Sequence, residues 1–348
     1  MSKSRSTFVL ILSLLMALVV FGCGDDGDNE EITVMTYNVY LGGDAESIFV
    51  ASPDDQAALL ATVAQVYQQI VNSDYQSRAE AIAASINEHR PHLVGLQEPT
   101  VLTSLDSEDM PSIHMDFLEM LESELTESGP GYEVAASVHN TTVTLPLLLP
   151  GETTPLNVRA VFSDVILARS DVEVSNIETA NYEAGIPSPL GFKATRGYVA
   201  LDATVSGTTY RVVSTHLESY ALPPRQAQAG ELIAILADET MPLILLGDFN
   251  SDADLPGEVY SLLTAAGYED VWQGGPDTGF TCCQNFDLGN EASLLDERID
   301  HIFVRNVDLA SAMTETVGDQ PEDRITASSG MEIWPSDHAG VVAELSIR

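Results

Sequence analysis

The apolar residues of this chain come in short runs that end on polar side chains. The clearest run, residues 243–246, is four consecutive apolar residues, which is typical of a strand buried on both faces. Gly247 ends it, and Asp248 and Asn250 follow two positions apart, so that on extended backbone they point the same way. The plainer interpretation of these two polar residues is a strand followed by an Asx-type turn, and the alternative is a functional site at the end of the strand. The rest of the chain supplies the context that decides between these two interpretations.

The same pattern predicts further strands and several helices. Strands are predicted at 32–39, 92–98, 132–139, 161–168, 197–205, 208–216, 298–304 and 341–347. Helical spacing predicts helices at 57–71, 78–88, 117–125, 231–237 and 260–266, while 145–155 and 274–290 are expected to be loops. The strand–helix–strand unit near the start has polar residues at both strand ends, where α/β sheets bind ligands.

Length and charge limit what this protein can bind. The chain has 348 residues, 45% of them hydrophobic, which is enough for one large core and a single domain of about 300 residues. Its formal net charge is −39, from 53 acidic and 14 basic residues. Such a surface repels polyanions, so tight non-specific binding to nucleic acid is not expected without bridging cations.

The N-terminus has the features of an export signal. A basic start is followed by an apolar stretch, residues 8–21, that is too short for a comfortable membrane span. The segment ending at Cys23 resembles a bacterial lipobox, which predicts a signal peptide over 1–22 and a lipidated Cys23. An ordinary secretory signal cleaved near Gly22 is the alternative. Lipidation would hold the protein on the cell envelope by acyl chains, facing the periplasm or the exterior, with no transmembrane helix in the mature chain.

The remainder divides into a tether and a folded domain. Residues 23–31 are rich in Gly, Asp, Asn and Glu and are expected to be a solvated acidic tether. The folded domain is expected over 32–348. Its two cysteines, Cys282 and Cys283, are adjacent; they either form a vicinal disulfide or act as two small apolar residues.

Polar residues that end predicted strands or lie in the late loops form one chemical set. They are Asn38, Glu98, His216, Asp248, Asn250, Asp300, Asp337 and His338. Oxygen ligands of this kind suit a hard cation such as Mg²⁺ or Mn²⁺. With no serine or cysteine nucleophile–base pair, the natural chemistry is attack of water on a phosphoester, assisted by a metal and by a histidine acid–base group.

Six short motifs carry a family resemblance. They are Tyr37-Asn38-Val39, Gln97-Glu98, Ser214-Thr215-His216-Leu217, Gly247-Asp248-Phe249-Asn250, Arg298-Ile299-Asp300 and Ser336-Asp337-His338. In this order they resemble the successive signature blocks of the endonuclease/exonuclease/phosphatase superfamily, spanning nearly all of the mature chain. The resemblance implies an α/β fold, a four-layer sandwich of two packed mixed β-sheets flanked by helices.

The resemblance also implies a metal centre and a catalytic imidazole. Glu98 would be the main Mg²⁺ ligand, with Asn38 and Asp337 close to the metal. His338 would be the catalytic histidine, and Asp300 would orient it.

Three more residues would act on the phosphate or the water. Asp248 would align or activate the water, Asn250 would hold a phosphate oxygen, and His216 would contact the phosphate from the other side. Some relatives pair this second histidine with a glutamate; here Asp164 and Glu133 are the candidates.

The expected activity is that of an exported phosphodiesterase. Its partners would be a phosphoester, whether phospholipid, nucleotide or nucleic acid, and a membrane through the lipid anchor; no protein partner is expected. A secreted nuclease, a phosphomonoesterase and a catalytically inert surface binding module are the alternatives. Arg196 would either contact phosphate or form a fold-supporting ion pair. The loop 279–284 resembles one in exported bacterial members, and a substrate-side loop is one hypothesis for it.

Overall fold

A computed structural model describes residues 29–105, 113–128, 131–255, 258–274 and 278–348. The predicted signal peptide, the lipidation cysteine Cys23 and most of the predicted tether lie outside these residues. Among the helices that the structure describes, none is both long and apolar enough to cross a membrane.

Strands make up most of the regular structure. They are β1 (Glu30–Asn38), β2 (Leu93–Ser104), β3 (His114–Asp116), β4 (Tyr132–Leu147), β5 (Leu156–Arg169), β6 (Glu173–Pro187), β7 (Lys193–Val205), β8 (Thr208–His216), β9 (Leu243–Asp248), β10 (Glu269–Asp270), β11 (Asp300–Arg305), β12 (Leu309–Val317), β13 (Ile325–Thr326), β14 (Glu332–Ile333) and β15 (Gly340–Ile347). The helices are α1 (Ala45–Phe49), α2 (Gln56–Asn72), α3 (Tyr75–His89), α4 (Phe117–Ser128), α5 (Leu222–Ile235) and α6 (Val259–Ala265), with a 3₁₀ turn at Pro321–Asp323.

The strands form two large mixed sheets. The first has the order β12-β15-β1-β2-β5-β4, with β3 also paired to β2, and the second has the order β10-β11-β9-β8-β7-β6. The pairs β1–β2 and β8–β9 are parallel, whereas their other neighbours in the sheets are antiparallel. The strands β13 and β14 form a separate small ribbon.

Alternating apolar side chains build four layers from these sheets. Val34 of β1 and Leu246 of β9 lie in a core between the two sheets. Met35, which follows Val34 in the chain, points to the outer face of the first sheet and packs under α2, α3 and α4. Leu245 of β9 packs on the outer face of the second sheet, under α5 and α6. Successive strand residues point to opposite faces, which is why unbroken apolar runs are needed here. The predicted four-layer α/β sandwich is therefore confirmed.

The two sheets approach each other closely at Gly95 of β2. A Cβ atom there would lie 2.1 Å from Leu246 Cδ1 and 2.7 Å from Ser214 Oγ on the opposite sheet. Only glycine permits this approach, which brings the ends of β1, β2, β8 and β9 together at one edge.

Several predicted boundaries were wrong for identifiable reasons. The strand predicted at 92–98 continues to Ser104, because a register irregularity between Gln97 and Thr100 accommodates Pro99 inside it. The strands flanking the predicted 145–155 loop are longer, which reduces the loop to 148–155. The helix predicted at 231–237 spans Leu222–Ile235, since its first turn is proline-containing rather than apolar.

Two long strands among the described residues, and the short strands β3, β10, β13 and β14, had no recognisable signal in the sequence. β6 is an edge strand of the second sheet whose residues are mostly exposed, so that it lacks the apolar alternation that marks a half-buried strand. β12 is an edge strand of the first sheet that alternates between exposed and half-buried residues, and small residues fill most of its inward positions.

Candidate active site

Strand register places three predicted site residues side by side. At the end of the second sheet, Asp248 of β9 pairs with His216 of β8 on one side and with Asp300 of β11 on the other. All three side chains are buried. Residues separated by 32 and 52 positions in the chain thus form one row across three strands.

The first sheet contributes a second row. Asn38 of β1 pairs with Gln97 of β2, which in turn pairs with Asp164 of β5. Glu98 follows Gln97 with a positive φ of 67°, at the irregularity in β2. This left-handed backbone is uncommon outside glycine, and strand irregularities of this kind re-aim a side chain.

Hydrogen bonds join the two rows. Asn38 Nδ2 donates to Asp248 Oδ2 at 3.0 Å, and Asn38 Oδ1 accepts from the amide of Tyr40 at 3.0 Å. Farther back, Gln97 Nε2 donates to Ser214 Oγ at 3.2 Å. The edge that the two sheets share is therefore one polar cleft, lined among others by Glu98, Asp337 and His338.

His338 lies between two carboxylates. Its Nδ1–H donates to Asp300 Oδ2 at 2.8 Å, and its Nε2 lies 4.0 Å from Asp248 Oδ2. Burial alone would lower the pKa of His338, but Asp300, Asp337 and Asp248 raise it well above its ordinary value. The imidazole is therefore held in its charged form, with Nε2–H directed into the cleft.

His216 lies on the other side of Asp248, and its pKa is shifted in the opposite direction to that of His338. Its Nε2 lies 3.3 Å from Asp248 Oδ2, and its Nδ1 accepts from an Arg196 guanidinium nitrogen at 3.0 Å. Burial, then Arg196 and His338, lower the pKa of His216 well below its ordinary value. A neutral Nε2–H tautomer satisfies both contacts.

Of the two candidate partners of His216, Asp164 is the one that the fold brings near the imidazole. The Asp164 side chain is buried, and its Oδ1 lies 3.9 Å from His216 Nδ1. Its Oδ2 accepts a hydrogen bond from Asn140 Nδ2 at 2.8 Å. Burial raises the pKa of Asp164 to about 7. Glu133, the other candidate, is exposed and pairs with Ala168 near the far end of β5. Asn140 has no motif signal, and only the pairing of β4 with β5 reveals its position.

Asp248 contacts several of the other site residues. Besides Asn38 and His216 it accepts from the Asn250 amide at 2.8 Å. Burial, and then Asp300, raise the pKa of Asp248 to about 7, although His338 opposes the shift. A carboxyl with a pKa near neutrality can gain and lose a proton at working pH.

The expected extended backbone at Asn250 was wrong. Asn250 has a φ of 49°, and its amide closes an Asx turn onto Asp248 Oδ1. Its Nδ2 donates to the Leu217 carbonyl at 2.9 Å, yet the residue still lines the cleft. The turn and the site therefore coexist.

The residues present fit a hard cation at Glu98 and Asp337. Asp337 Oδ1 is buried without a hydrogen-bond partner among the described residues, and burial raises the pKa of this carboxyl to about 7. Glu98 Oε2 accepts from the Leu41 amide at 2.9 Å, which fixes the carboxylate at the cleft wall. An uncompensated buried carboxylate beside a second one is what a divalent cation would stabilise.

Another candidate metal site, formed by two carboxylates and an imidazole, also lies in this region. Ligand atoms of Asp248, Asp300 and His338 lie within 4.8 Å of one another. The 2.8 Å His338–Asp300 hydrogen bond already uses two of these groups, and a cation would have to break it. We therefore favour the Glu98–Asp337 side as the metal position.

Arg78 is a positioning residue that the sequence did not reveal. Its buried guanidinium donates to the carbonyls of Pro335, Val39 and Tyr40. One side chain thereby ties the segment after Asn38 to the segment before Asp337. Its place in an amphipathic helix pattern gave no sign of this role.

The segment around Thr281 supports Asp300 and His338. Thr281 Oγ1 accepts from the Asp300 amide at 3.1 Å, and the Thr281 carbonyl accepts from Ala339 at 2.8 Å. Cys282 and Cys283 form a disulfide and line the cleft. The backbone of Cys282 also pairs with that of His338 in an isolated β-bridge. The loop at 279–284 is thus part of the site wall.

Two packed sheets whose shared edge carries two imidazoles and several acids define a hydrolase-type site. A model of the Endonuclease/Exonuclease/phosphatase family matches residues 35–338, so the chain belongs to this family. Its members hydrolyse phosphoester bonds and generally use a divalent metal.

Solved structures show the same fold at low sequence identity. TDP2 from Caenorhabditis elegans matches with a TM-score of 0.51 at 18% identity, over 91% of this chain and 75% of its own. A family protein from Bacteroides thetaiotaomicron has a TM-score of 0.55 at 17% identity, over 92% and 99%. A mannosyl-6-phosphatase from the same organism has 0.53 at 17%, over 90% and 99%. Comparison with curated proteins gives no match.

Proposed function

We propose that this protein is an exported, Mg²⁺-dependent phosphodiesterase, with Mn²⁺ as the alternative ion. The observation that carries the proposal is Asp248, a buried carboxyl placed 3.3 Å from His216 Nε2 and 4.0 Å from His338 Nε2. A base and an acid that face one cleft are the groups that hydrolysis by water requires.

The roles of the side chains follow from their protonation states. Asp248, with a pKa near 7, takes the proton of the attacking water, and the neutral His216 holds that carboxylate in place. His338 donates its Nε2 proton to the phosphate or the departing oxygen while Asp300 stabilises its charge. Asn250 lines the cleft where a phosphate oxygen would bind.

Glu98 and Asp337, with Asn38 beside them, would hold the cation. When bound, the ion polarises a phosphoryl oxygen and offsets the negative charge that the acids bring to the cleft. Asp337 Oδ1, which has no hydrogen-bond partner within the part of the chain that the structure describes, supports this assignment.

Charge in the cleft favours a diester over a monoester. Among the described residues that line it, Arg196 is the single arginine or lysine, whereas Asp44, Glu46 and Glu98 add to its acids. A phosphodiester carries one negative charge and a phosphomonoester carries up to two near neutral pH. Set against these acids, the Arg196 guanidinium, the His338 imidazolium and one divalent cation are a better match for the monoanion.

A panel of substrates tests the reaction. The chain is incubated with bis(4-nitrophenyl) phosphate, 4-nitrophenyl phosphate and DNA, in magnesium and in EDTA. We expect magnesium-dependent release of nitrophenol from the diester, and at least a 100-fold loss in His338→Asn, with His114→Asn, an exposed histidine, as the matched control. Preference for the monoester or for DNA would make it a phosphatase or a nuclease. No turnover of any phosphoester would overturn the proposal and favour a binding module.

Export and lipid anchoring through Cys23 are part of the same proposal. They are supported by the basic start, the apolar stretch at 8–21 and the cysteine that follows Gly22. Labelling of the full chain with a fatty-acid analogue in a bacterial host is expected to mark the wild type and not Cys23→Ala. Equal labelling of the two would refute the anchor.

A further inference from the structure

A second cavity opens into the catalytic cleft, and its lining has the opposite character. Leu41, Ala45, Phe162 and Arg196 are among the residues that line both spaces, so the two adjoin each other. The cavity then runs between α2 and the β4–β5 pair. Its deep walls are Val63, Val66 and Ile70 of α2 and Val143, Leu145 and Val158 of the two strands.

Several polar residues of this second cavity lie at its junction with the cleft, where Glu46, Asn140, Arg196 and Ser219 line both spaces. Beyond the junction the walls are mostly apolar, with Thr141, Thr195 and Glu218 as polar exceptions. Covering apolar walls with an apolar guest removes them from water and is favourable. The joined cavity is therefore amphipathic, with its polar end at the reacting groups.

Two contacts fix the junction directly to the catalytic groups. The Leu41 amide donates to Glu98 Oε2 at 2.9 Å, and the Arg196 guanidinium donates to His216 Nδ1 at 3.0 Å. The cavity thus begins between the proposed metal ligand and the second imidazole. A phosphate at the site would place one of its ester substituents at this opening.

The outer lip of the cavity is apolar and open to solvent. The Phe49 ring packs against Phe192 at 6.0 Å and against Tyr220 at 5.8 Å, and all three line the cavity. Tyr220 is 51% exposed, as is the neighbouring Val50. These rings give a hydrophobic group an apolar entry, although Glu46 and Glu218 also line the cavity.

We infer that this cavity holds the hydrocarbon chain of the substrate, a lipid-like phosphodiester with a long alkyl or acyl group. The inference rests on the proposed function and narrows it. Nucleobases bind by stacking on aromatic rings and by hydrogen bonds to their edges, and the aliphatic walls formed by α2 and the β4–β5 pair match an alkyl chain better. The net charge of −39 opposes polyanions as well.

Adjacent residues of β4 provide a matched pair of variants. Val143 lines the cavity, and the next residue, Thr144, is exposed on the opposite face of the strand. Val143→Trp fills the cavity, whereas Thr144→Trp adds the same bulk outside it. Ala160→Leu, a smaller change in the same wall, replaces Val143→Trp if thermal melts show that the larger substitution unfolds the chain.

Binding tests the cavity without depending on turnover. Calorimetric titration of the full chain uses decyl phosphate, below its micelle concentration, against methyl phosphate. Each buried methylene strengthens binding by about fourfold at most, so we expect decyl phosphate to bind at least 100-fold more tightly. Val143→Trp is expected to lose at least tenfold of this affinity and Thr144→Trp less than twofold. Equal affinity for the two phosphates, or equal effects of the two variants, would overturn the inference.

Turnover separates this inference from the proposed function. The specificity constant kcat/KM is compared for the 4-nitrophenyl diesters of methyl and decyl phosphate. We expect wild type to prefer the decyl diester, and Val143→Trp to lose that preference while it still hydrolyses the methyl diester. Hydrolysis without any chain-length preference refutes the lipid-like substrate and leaves the phosphodiesterase standing. Tight binding of decyl phosphate with no diester hydrolysis refutes the phosphodiesterase alone.

Discussion

Replacing Arg78 by methionine tests whether one buried side chain holds the two halves of the site together. The guanidinium is fully buried and donates at 2.8 Å to the Pro335 carbonyl, at 2.7 Å to the Tyr40 carbonyl, at 3.2 Å to Ser73 Oγ, and to the Val39 carbonyl. Methionine fills much of the same volume but donates nothing.

The expected cost follows from the acceptors that lose their donor. Three backbone carbonyls would be left in the interior, and each buried acceptor without a partner costs about 1–3 kcal/mol. Relief from burying a charge offsets part of this sum; burial lowers the pKa of Arg78, which shows that its charged form is disfavoured there. We expect a net loss of roughly 3–5 kcal/mol, a large share of the about 5–15 kcal/mol that stabilises a typical domain.

Urea unfolding, followed by circular dichroism, measures the loss. Arg348→Met, at an arginine whose side chain is 62% exposed, is the control and is expected to change the unfolding free energy by less than about 0.5 kcal/mol. Because Arg78 bonds the segments after Asn38 and before Asp337, activity of the folded variant should fall by about tenfold or more. A loss under about 1 kcal/mol with full activity would refute the positioning role.

Three further substitutions test the backbone conformation at a glycine, the titration of a buried histidine and the binding of the metal ion. Gly247→Ala should destabilise the fold by roughly 2–4 kcal/mol in urea unfolding, because the glycine has a φ of 146° and its Cβ would lie 1.9 Å from the Thr215 carbonyl oxygen. Burial, then Arg298, lower the pKa of His301 to about 4. Between pH 6.5 and 4 the unfolded chain binds this proton first, so wild type should lose about 3 kcal/mol more stability than His301→Gln over that window. Glu98→Gln should weaken Mg²⁺ binding in calorimetry by at least about tenfold.

Each of these perturbations has its own control and its own contrary result. Gly230→Ala, where a Cβ meets nothing within 4 Å, should not destabilise; equal losses at the two glycines would contradict the steric argument. His114→Gln, at an exposed histidine, is the matched control, and a wild-type slope in His301→Gln would show that His301 is not the titrating group. Glu133→Gln, on the exposed side of β4, should bind Mg²⁺ like wild type, and unchanged binding in Glu98→Gln would move the metal elsewhere.

Local sequence could predict the site residues because they follow strongly patterned strands. Asn38 and His216 end β1 and β8, Asp248 ends β9 and Asp300 begins β11, so that the apolar runs before or after them mark their place. The edge strand β6 escaped prediction for the converse reason, since an exposed strand needs no apolar alternation. The catalytic and ligand roles that the family resemblance implies for these residues stay predictions.

Groups that act through packing could not be found in this way. Arg78 occupies an ordinary position in α3, and Asn140 lies in the middle of β4; neither has a local signal. The partner of His216 could not be chosen between Asp164 and Glu133 until the register of β4, β5 and β2 put Asp164 3.9 Å from the imidazole.

The sequence by itself determined which segments are buried strands, which polar residues lie at their ends, and the family to which the chain belongs. These are local properties, because the alternation of side chains along a strand does not depend on its neighbours. Only the tertiary structure decided that His216, Asp248 and Asp300 form one row, that Asn38 reaches Asp248 from the other sheet, and that an apolar cavity opens beside them. Strand order, register and the approach of the two sheets at Gly95 depend on how the whole core packs, so no short stretch of sequence encodes them.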